Sequence, residues 1–259
     1  MQGNFTDYSI IKTMTKYYYD LHIHSCLSPC ADNDMTPYNI AGMAALNGLN
    51  LIALTDHNSC GNCETFFDAC KMYGIVPIPG MEITTAEDIH IVALFPSLED
   101  ALNFDTEMKP YKSSIANKAE IFGDQLYIGI GDEQIGTENN LLIVASSLDL
   151  ESAVNLVRKN NGAVFPAHVD RESNGIIAIL GDIPPEPNFT YAEFNDNNNI
   201  PQYKEKYEVL KDLPVLCSSD AHHLWDINEA SNYIEIDDDP YSSDRVRKEL
   251  IKILNKENK

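Results

Sequence analysis

Short apolar runs, bounded by turn or charged residues, recur along the chain and predict buried strands. The predicted strands cover residues 17–19 with Leu21, 51–54, 75–78, 89–95, 163–166 and 215–217. Between several of them lie stretches that predict helices, at 37–47, 63–73 and 150–160. Strands that alternate with helices favour βα units, and therefore an α/β fold with a mainly parallel sheet or barrel.

This alternation is interrupted twice. Residues 105–147 predict a short helix, a hairpin at 125–136 and a return, so we interpret them as an insertion or small lid. The second break, 181–201, is rich in proline and asparagine and predicts loop around a short strand at 191–194. The predicted organisation is therefore a barrel made of 17–104 and 148–259, an insertion at 105–147 and an N-terminal extension at 1–16.

Composition sets limits on the class of protein. With 44% hydrophobic and 22% charged residues, the chain is typical of a folded globular protein rather than a disordered or fibrous one. The formal charge of −22 would repel the phosphate backbone of a nucleic acid unless bound metal ions or a local basic patch reversed the field, so long nucleic acid is not expected as a partner. Neither a membrane span nor a signal peptide is visible, which predicts a cytoplasmic protein without a membrane partner.

The histidines carry the chemical signal. Two of them, His22 and His24, lie two apart on a predicted strand, so both imidazoles project from one face and can chelate a single cation. Other potential ligands follow or open further predicted strands: His57, Glu82, His90, His168, Asp220 and His222. Burying so many ionisable groups without cations would be costly, so the pattern predicts a metal site at the strand ends, where active sites of α/β folds collect.

The segments DLHIHS, TDHNS, PGMEI with EDIHIV, PAHVD and SSDAHH resemble, in order, the motifs of the PHP (polymerase and histidinol phosphatase) family of metal-dependent phosphoesterases. The resemblance spans about residues 17–223. It implies a distorted (β/α)7 barrel with two to three divalent metal ions at the carboxyl ends of the strands.

The resemblance also implies a set of ligands for each ion. One ion would be held by His22, His24, Glu82 and Asp220, and Glu82 would bridge to a second ion completed by His90 and His168. The third would be held by His57, His222 and an acid from the first loop. Counting back from the predicted helix start at Pro37 favours Asp32 for that acid, with Asp34 as a competitor.

The charge of such a site indicates its chemistry. Three carboxylates against three divalent ions leave a positive pocket, for which an anion is the natural ligand. Metal ions can bind phosphate oxygens, turn a water into hydroxide near neutral pH and stabilise the leaving oxygen, which is phosphoester hydrolysis with Glu82, Asp220 and His222 as catalytic residues. The mixed imidazole and carboxylate set favours manganese, iron or zinc over magnesium or calcium.

Four residues near the expected ligands are candidates for supporting roles. Asp20 and Asp56 could hydrogen-bond the far nitrogen of an imidazole or act as turn caps. Arg171, three residues after His168, is a candidate for binding the substrate phosphate. His223 is either a general acid or an exposed neighbour of a ligand.

Two readings of function remain open beside the leading one, which is hydrolysis of a small phosphate monoester such as a nucleotide, a sugar phosphate or histidinol phosphate. The first alternative is an exonuclease that acts on short oligonucleotides. The second is a non-catalytic metal- or redox-sensing barrel, in which Cys26, Cys30, Cys60 and Cys63 converge on a further site. The sequence does not fix the substrate, the native metal or the oligomeric state.

Overall fold

The computed structural model describes residues 14–257, and the N-terminal residues 1–13 lie outside the described part. The strands are β1 (Met14–Asp20), β2 (Leu51–Leu54), β3 (Val76–Thr84), β4 (His90–Leu94), β5 (Leu126–Ile128), β6 (Gln134–Thr137), β7 (Ala163–Pro166), β8 (Ala192–Phe194), β9 (Val215–Cys217) and β10 (Tyr233–Asp237). The helices are α1 (Pro37–Leu46), α2 (Cys63–Tyr73), α3 (Leu98–Met108), α4 (Ala119–Phe122), α5 (Leu150–Lys159), α6 (Ile176–Leu180), α7 (Ile200–Lys206), α8 (Glu208–Asp212) and α9 (Ser243–Leu254).

Six strands form one curled sheet in the order β10-β1-β2-β3-β4-β7, and β8 pairs with β9 in a second, parallel pair. Backbone hydrogen bonds join the six-stranded sheet to the β8–β9 pair. Val169 N–H donates to Glu193 O at 2.8 Å beyond the end of β7, and His24 N–H donates to Ala221 O at 3.0 Å beyond the ends of β1 and β9. Strands β1 to β4 and β7 to β9 therefore form a closed circuit of seven, which confirms the expected distorted α/β barrel.

One strand runs against the expected direction. β1, β2 and β3 are parallel, but β4 is antiparallel to both β3 and β7. Only residues 85–89 separate β3 from β4, which is too short for the crossover that a parallel pair requires. As a result His90, at the start of β4, lies at the same rim as the carboxyl ends of the parallel strands.

The strand β3 is also longer than the apolar run at 75–78 suggests, because it continues to Thr84 and carries Glu82 within it. Gly80 is required at this point, since a Cβ atom there would lie 2.7 Å from the carbonyl oxygen of Ala93 on β4. The close approach of β4 to β3 fixes the register that places Glu82 opposite Val92.

Two apolar layers hold the barrel together. One includes alternate strand residues such as Leu51, Val76 and Phe165, packed with the apolar face of α9, and the other lies between the strands and helices α1, α2, α3 and α5. Both faces of the central strands are buried, as expected for strands covered by helices.

The region predicted as an insertion contains the expected hairpin, formed by β5 and β6. Helix α3 runs past the expected boundary at 105 to Met108, and residues 14–16 of the expected extension belong to β1. Leu126 N–H donates to Cys26 O at 2.8 Å, so the hairpin packs on the loop after β1. No helix within residues 14–257 is both long and apolar enough to cross a bilayer.

Candidate metal centre

Glu82 is the centre of the buried polar cluster at the rim. Its side chain is 1% exposed, and five imidazoles approach its two oxygens. The Oε1 atom lies 2.8 Å from His90 Nδ1, 3.1 Å from His168 Nε2 and 3.3 Å from His22 Nε2, and the Oε2 atom lies 2.9 Å from His57 Nδ1 and 3.4 Å from His24 Nε2.

Asp220 is the second carboxylate of the cluster. Its Oδ1 atom lies 3.0 Å from His24 Nε2 and 3.4 Å from His22 Nε2, and its Oδ2 atom is paired with the Arg171 guanidinium. Asp220 and His168 both have positive φ, at 52° and 28°. Left-handed backbone costs about 1–3 kcal/mol per residue outside glycine and is concentrated at functional sites, so these two positions point to a function at the rim.

Residues 14–257 contain three overlapping groups of potential ligands, and within each group the ligand atoms lie within 4.8 Å of one another. They are His22, His24, Glu82 and Asp220, then His57, Glu82 and His90, and finally His24, His57 and His222. The sharing of Glu82 between two groups places a carboxylate where it could bridge two ions. His168 approaches the cluster through Glu82.

Unpartnered buried atoms show that this donor set fits divalent metal ions. Glu82 Oε2, Asp220 Oδ1 and His168 Nδ1 make no hydrogen bond within the described residues, although imidazole nitrogens lie near both carboxylate atoms. Buried polar atoms without a partner are costly, and a cation would satisfy the two oxygens. The coarse expectation of divalent metal binding therefore holds.

The pKa values of Glu82 and His24 are shifted toward the forms that bind metal ions. Burial raises the pKa of Glu82, but the charges of His90, His22 and His57 outweigh burial and hold that pKa well below its usual value. Burial, together with the charges of neighbouring imidazoles, lowers the pKa of His24. An ionised carboxylate and a neutral imidazole are the forms that bind metal ions.

Glu193 on β8 is a functional candidate that the sequence reasoning missed. Its Oε1 atom lies 2.8 Å from His22 Nδ1, and both side chains are fully buried. Burial alone would lower the pKa of His22, but the charges of Glu193, Asp220 and Glu82 raise it well above its usual value. This contact leaves His22 Nε2 facing Glu82 and Asp220. The signal was a carboxylate inside the apolar strand AEF.

The two aspartates expected behind the ligands differ in what they contact. Asp56 accepts hydrogen bonds from the Ser28 hydroxyl (2.7 Å) and the Ser25 hydroxyl (2.6 Å), and Ser28 Oγ lies 3.0 Å from His24 Nδ1. Asp56 therefore reaches an imidazole through one serine. Asp20 accepts from the backbone N–H groups of Ser219 and Asn228, both at 3.0 Å, and so braces the loop that carries Asp220.

The first loop does not bring its acids to the cluster. Asp32 and Asp34 are both exposed, and Asp32 Oδ1 accepts the backbone N–H of Asp34 at 3.2 Å. Neither residue belongs to the three ligand groups within residues 14–257. The loop instead places the thiol of Cys30 3.1 Å from His222 Nε2.

An open cavity of about 350 Å³ lies against the cluster and is lined by Cys30, His57, His90, His168, Arg171 and His222, among others. Arg171 is the arginine of this cavity, and its side chain is 40% exposed. Besides its pairing with Asp220, it donates to Asn195 Oδ1 from Nε at 3.0 Å and from Nη2 at 2.8 Å.

The four cysteines proposed for a further site do not form one cluster. Cys60 and Cys63 are buried and both direct their thiols at Gly80 O, at 3.2 and 3.8 Å, whereas Cys26 directs its thiol at Leu126 O. Cys30 alone among these four is exposed. This arrangement gives no support to a four-cysteine site.

His223, weighed as a general acid, lies at the surface. Its Nδ1 is 2.9 Å from Asp226, and its ring stacks on Trp225.

A buried cluster of imidazoles and carboxylates at one rim of an α/β barrel is typical of metal-dependent hydrolases. The PHP domain family matches residues 20–213, and the chain belongs to this family. The expected resemblance is thus confirmed, and the family and its relatives place the chain among metal-dependent hydrolases.

The chain is similar to a 5′-3′ exoribonuclease of Haemophilus influenzae, with 33% identity over 131 residues that cover 49% of this chain and 43% of the relative. Among solved structures, it is similar to the lesion-specific endonuclease Q of Pyrococcus furiosus, with a TM-score of 0.62, 19% identity, and coverage of 93% of this chain and 56% of that one. A metal-dependent phosphoesterase of Bifidobacterium adolescentis has a TM-score of 0.56 and 19% identity, with coverage of 90% and 95%. The chain thus spans about half the length of the exoribonuclease and of the endonuclease.

These relatives correct the expectation that long nucleic acid is not a partner. Endonuclease Q, whose fold this chain shares, has been solved with a 27-mer duplex substrate at its active site, and the relative at 33% identity is an exoribonuclease. The exclusion based on net charge was therefore wrong. The net charge of the whole protein does not exclude such a partner, because the field at a site is set by local charges, including those of bound ions.

Proposed function

We propose that this chain is a phosphoesterase that hydrolyses a phosphoester bond with two or three divalent metal ions bound at the rim of the barrel. The observation that carries the proposal is the environment of Glu82, a buried carboxylate with five imidazoles around its two oxygens. A structural role would not require so many ionisable groups around one carboxylate, because each has a desolvation cost.

The proposed ligand sets are those that the family resemblance implies, and the first of them coincides with one observed group of ligand atoms. His22, His24, Glu82 and Asp220 would hold one ion, Glu82 with His90 and His168 a second, and His57 with His222 a third. Ions bound in this way would polarise the phosphate, lower the pKa of water and stabilise charge on the leaving oxygen. Imidazole and carboxylate donors favour manganese, iron or zinc.

Other residues of the chain would position the substrate and the ligands. Arg171, partly exposed in the cavity, would bind a phosphate oxygen, since guanidinium groups donate hydrogen bonds in a geometry that fits phosphate. Glu193 would keep His22 oriented with Nε2 toward the carboxylates. Residues 105–147 would limit the size of the group that enters, because Ile143 from this segment lines the cavity.

For the substrate, we propose the terminal phosphoester of a short nucleic acid strand. The similarity to a 5′-3′ exoribonuclease supports this class, and a cavity of about 350 Å³ suits the end group of a strand rather than an internal segment. The same small cavity favours a second candidate, a small phosphate monoester.

The test is hydrolysis of a matched panel with added Mn²⁺: 5′-phosphorylated short RNA, the same sequence as DNA, mononucleotides and sugar phosphates. Asp220→Asn should abolish turnover, and Glu208→Gln, at an exposed position on α8, should leave it unchanged. Stepwise release of mononucleotides from RNA supports the exonuclease, and release of inorganic phosphate from monoesters alone supports the second candidate. A metal-loaded protein that hydrolyses no member of the panel contradicts the proposal.

A further inference from the structure

The thiol of Cys30 lies at the part of the cluster where the family resemblance implies an acid. Its Sγ atom is 3.1 Å from Nε2 of His222, and Cys30 lines the same cavity as His57, Glu82 and Asp220. The other cysteines of the described residues are buried.

The orientation of His222 makes this contact specific. Its Nδ1–H donates to the backbone oxygen of Asp220 at 2.8 Å, so the lone pair of the ring is on Nε2, the atom that faces the thiol. The His222 ring stacks on His24, with ring centroids 4.3 Å apart.

Two further imidazoles point to a cation at this position. Ligand atoms of His24, His57 and His222 lie within 4.8 Å of one another. His57 is 3% exposed, and its Nδ1 makes no hydrogen bond within residues 14–257, although it lies 2.9 Å from Glu82 Oε2. Three imidazoles in one place, one of them beside the Glu82 carboxylate, are a ligand set for a cation that a further anionic donor on the loop side would complete.

The loop geometry brings the Cys30 side chain, rather than the Asp32 carboxylate, to this ligand set. The backbone N–H of Asp32 donates to His222 O at 2.9 Å, which ties the loop to the segment of His222. The Asp32 carboxylate, however, is exposed and accepts the N–H of Asp34. Anchoring at Asp32 leaves the residue two positions earlier, Cys30, beside the imidazole ring.

We propose that the Cys30 thiolate is a ligand of the ion held by His57 and His222, in the place of the first-loop acid. The bond that forms is between sulfur and the ion, and the thiol proton is released to the solvent. A thiolate is a softer donor than a carboxylate, so this position should select zinc or ferrous iron over manganese or magnesium. The inference rests on the metal centre of the proposed function, but its test measures metal binding instead of turnover.

The experiment uses the full chain, stripped of metal and titrated with Co²⁺. A cobalt–thiolate bond produces a charge-transfer band in the near ultraviolet that imidazole and carboxylate ligands do not produce. We expect the band in the wild type, its complete loss in Cys30→Ser with the loss of one bound equivalent, and its retention in Asp32→Asn and Cys26→Ser. Cys30→Asp should bind the full number of equivalents without the band.

A band that persists in Cys30→Ser, or a bound equivalent lost in Asp32→Asn but not in Cys30→Ser, would overturn the proposal. Binding of all equivalents by the wild type with no band would do the same. Failure to bind any cobalt would instead overturn the metal centre itself, so the two failures are distinguishable. As a second measurement, zinc should protect Cys30 of the wild type from alkylation by iodoacetamide.

Discussion

The two sides of the metal centre are built differently. On one side His22, Glu82 and His90 come from strands or strand ends, and their burial is nearly complete. On the other side Cys30 and His222 come from loops, and the His222 side chain is 21% exposed. The strand side is fixed by a continuous ladder of backbone hydrogen bonds, whereas the loop side depends on single contacts such as Asp32 N–H to His222 O.

This difference indicates which ligands of the site can be exchanged for other residues. A ligand on a strand cannot be moved without changing the register, because a shift by one residue turns its side chain to the other face. A ligand on a loop can be exchanged for another residue a position or two away. The strand side should therefore set the reaction, and the loop side should set the choice of metal.

The largest effect on metal content and activity is expected at Glu82, on the strand side. We expect Glu82→Gln, which keeps the shape and removes the charge, to lose at least one metal equivalent and to lower activity by more than about 100-fold. Substitution of a residue that only orients a ligand typically lowers metal affinity or activity by about 10–100-fold, and this carboxylate would itself bind two ions. The measurement is metal content by elemental analysis beside turnover, with Glu208→Gln as the control. Full metal content in Glu82→Gln would show that Glu82 is not a bridge.

The strand side is also the part that the sequence predicts best. The runs at 51–54, 163–166 and 215–217 coincide with β2, β7 and β9, because short apolar segments between turns are buried on both faces. The histidines at strand ends were recognisable for the same reason, since the spacing in DLHIHS fixes which face each side chain occupies.

The sequence does not predict features that depend on contacts distant along the chain. The short 85–89 connection explains the antiparallel direction of β4 only once the end of β3 is known. The sequence does not reveal that end, because the prolines and glycine of VPIPG are not typical of a strand interior. The carboxylate of Glu193 stands out within the apolar strand AEF, but its partner His22 lies 171 positions away and is identified only by the fold. The position of Cys30 depends on a loop whose hydrogen bonds have no repeating pattern.

A smaller effect should follow from Glu193→Gln. The amide keeps the size of the side chain but removes the negative charge that makes His22 a better donor, so metal affinity should fall by about 10–100-fold. Isothermal titration with Mn²⁺ measures this, and Glu172→Gln, at an exposed position, is the control. An unchanged affinity would limit Glu193 to a packing role.

Arg171→Ala should distinguish a role in substrate binding from a role in metal binding. If the guanidinium binds phosphate, KM should rise by about tenfold with metal content unchanged, the loss expected for one charge-assisted hydrogen bond. Arg245→Ala, which removes an arginine paired with Asp237, is the control. A loss of metal with an unchanged KM would instead assign Arg171 to holding Asp220.

The smallest effect is expected at Ser28, where the strand and loop sides meet. The Ser28 hydroxyl donates its hydrogen to Asp56, so toward His24 Nδ1 it can only accept, and this leaves His24 Nε2 free to bind an ion. Ser28→Ala removes the acceptor of His24 Nδ1–H, together with the hydrogen bonds to Asp56 and from the backbone N–H of His57. The bond to His24, of about 1 kcal/mol, is the one that orients a ligand, which predicts a fall in metal affinity of about fivefold and no change in KM. Titration of the stripped protein with Mn²⁺ measures this, with Ser147→Ala as the control at an exposed serine. Wild-type affinity in Ser28→Ala would mean that the barrel rim orients His24 without help from the loop, and the division between the two sides would then lie between Ser28 and Cys30.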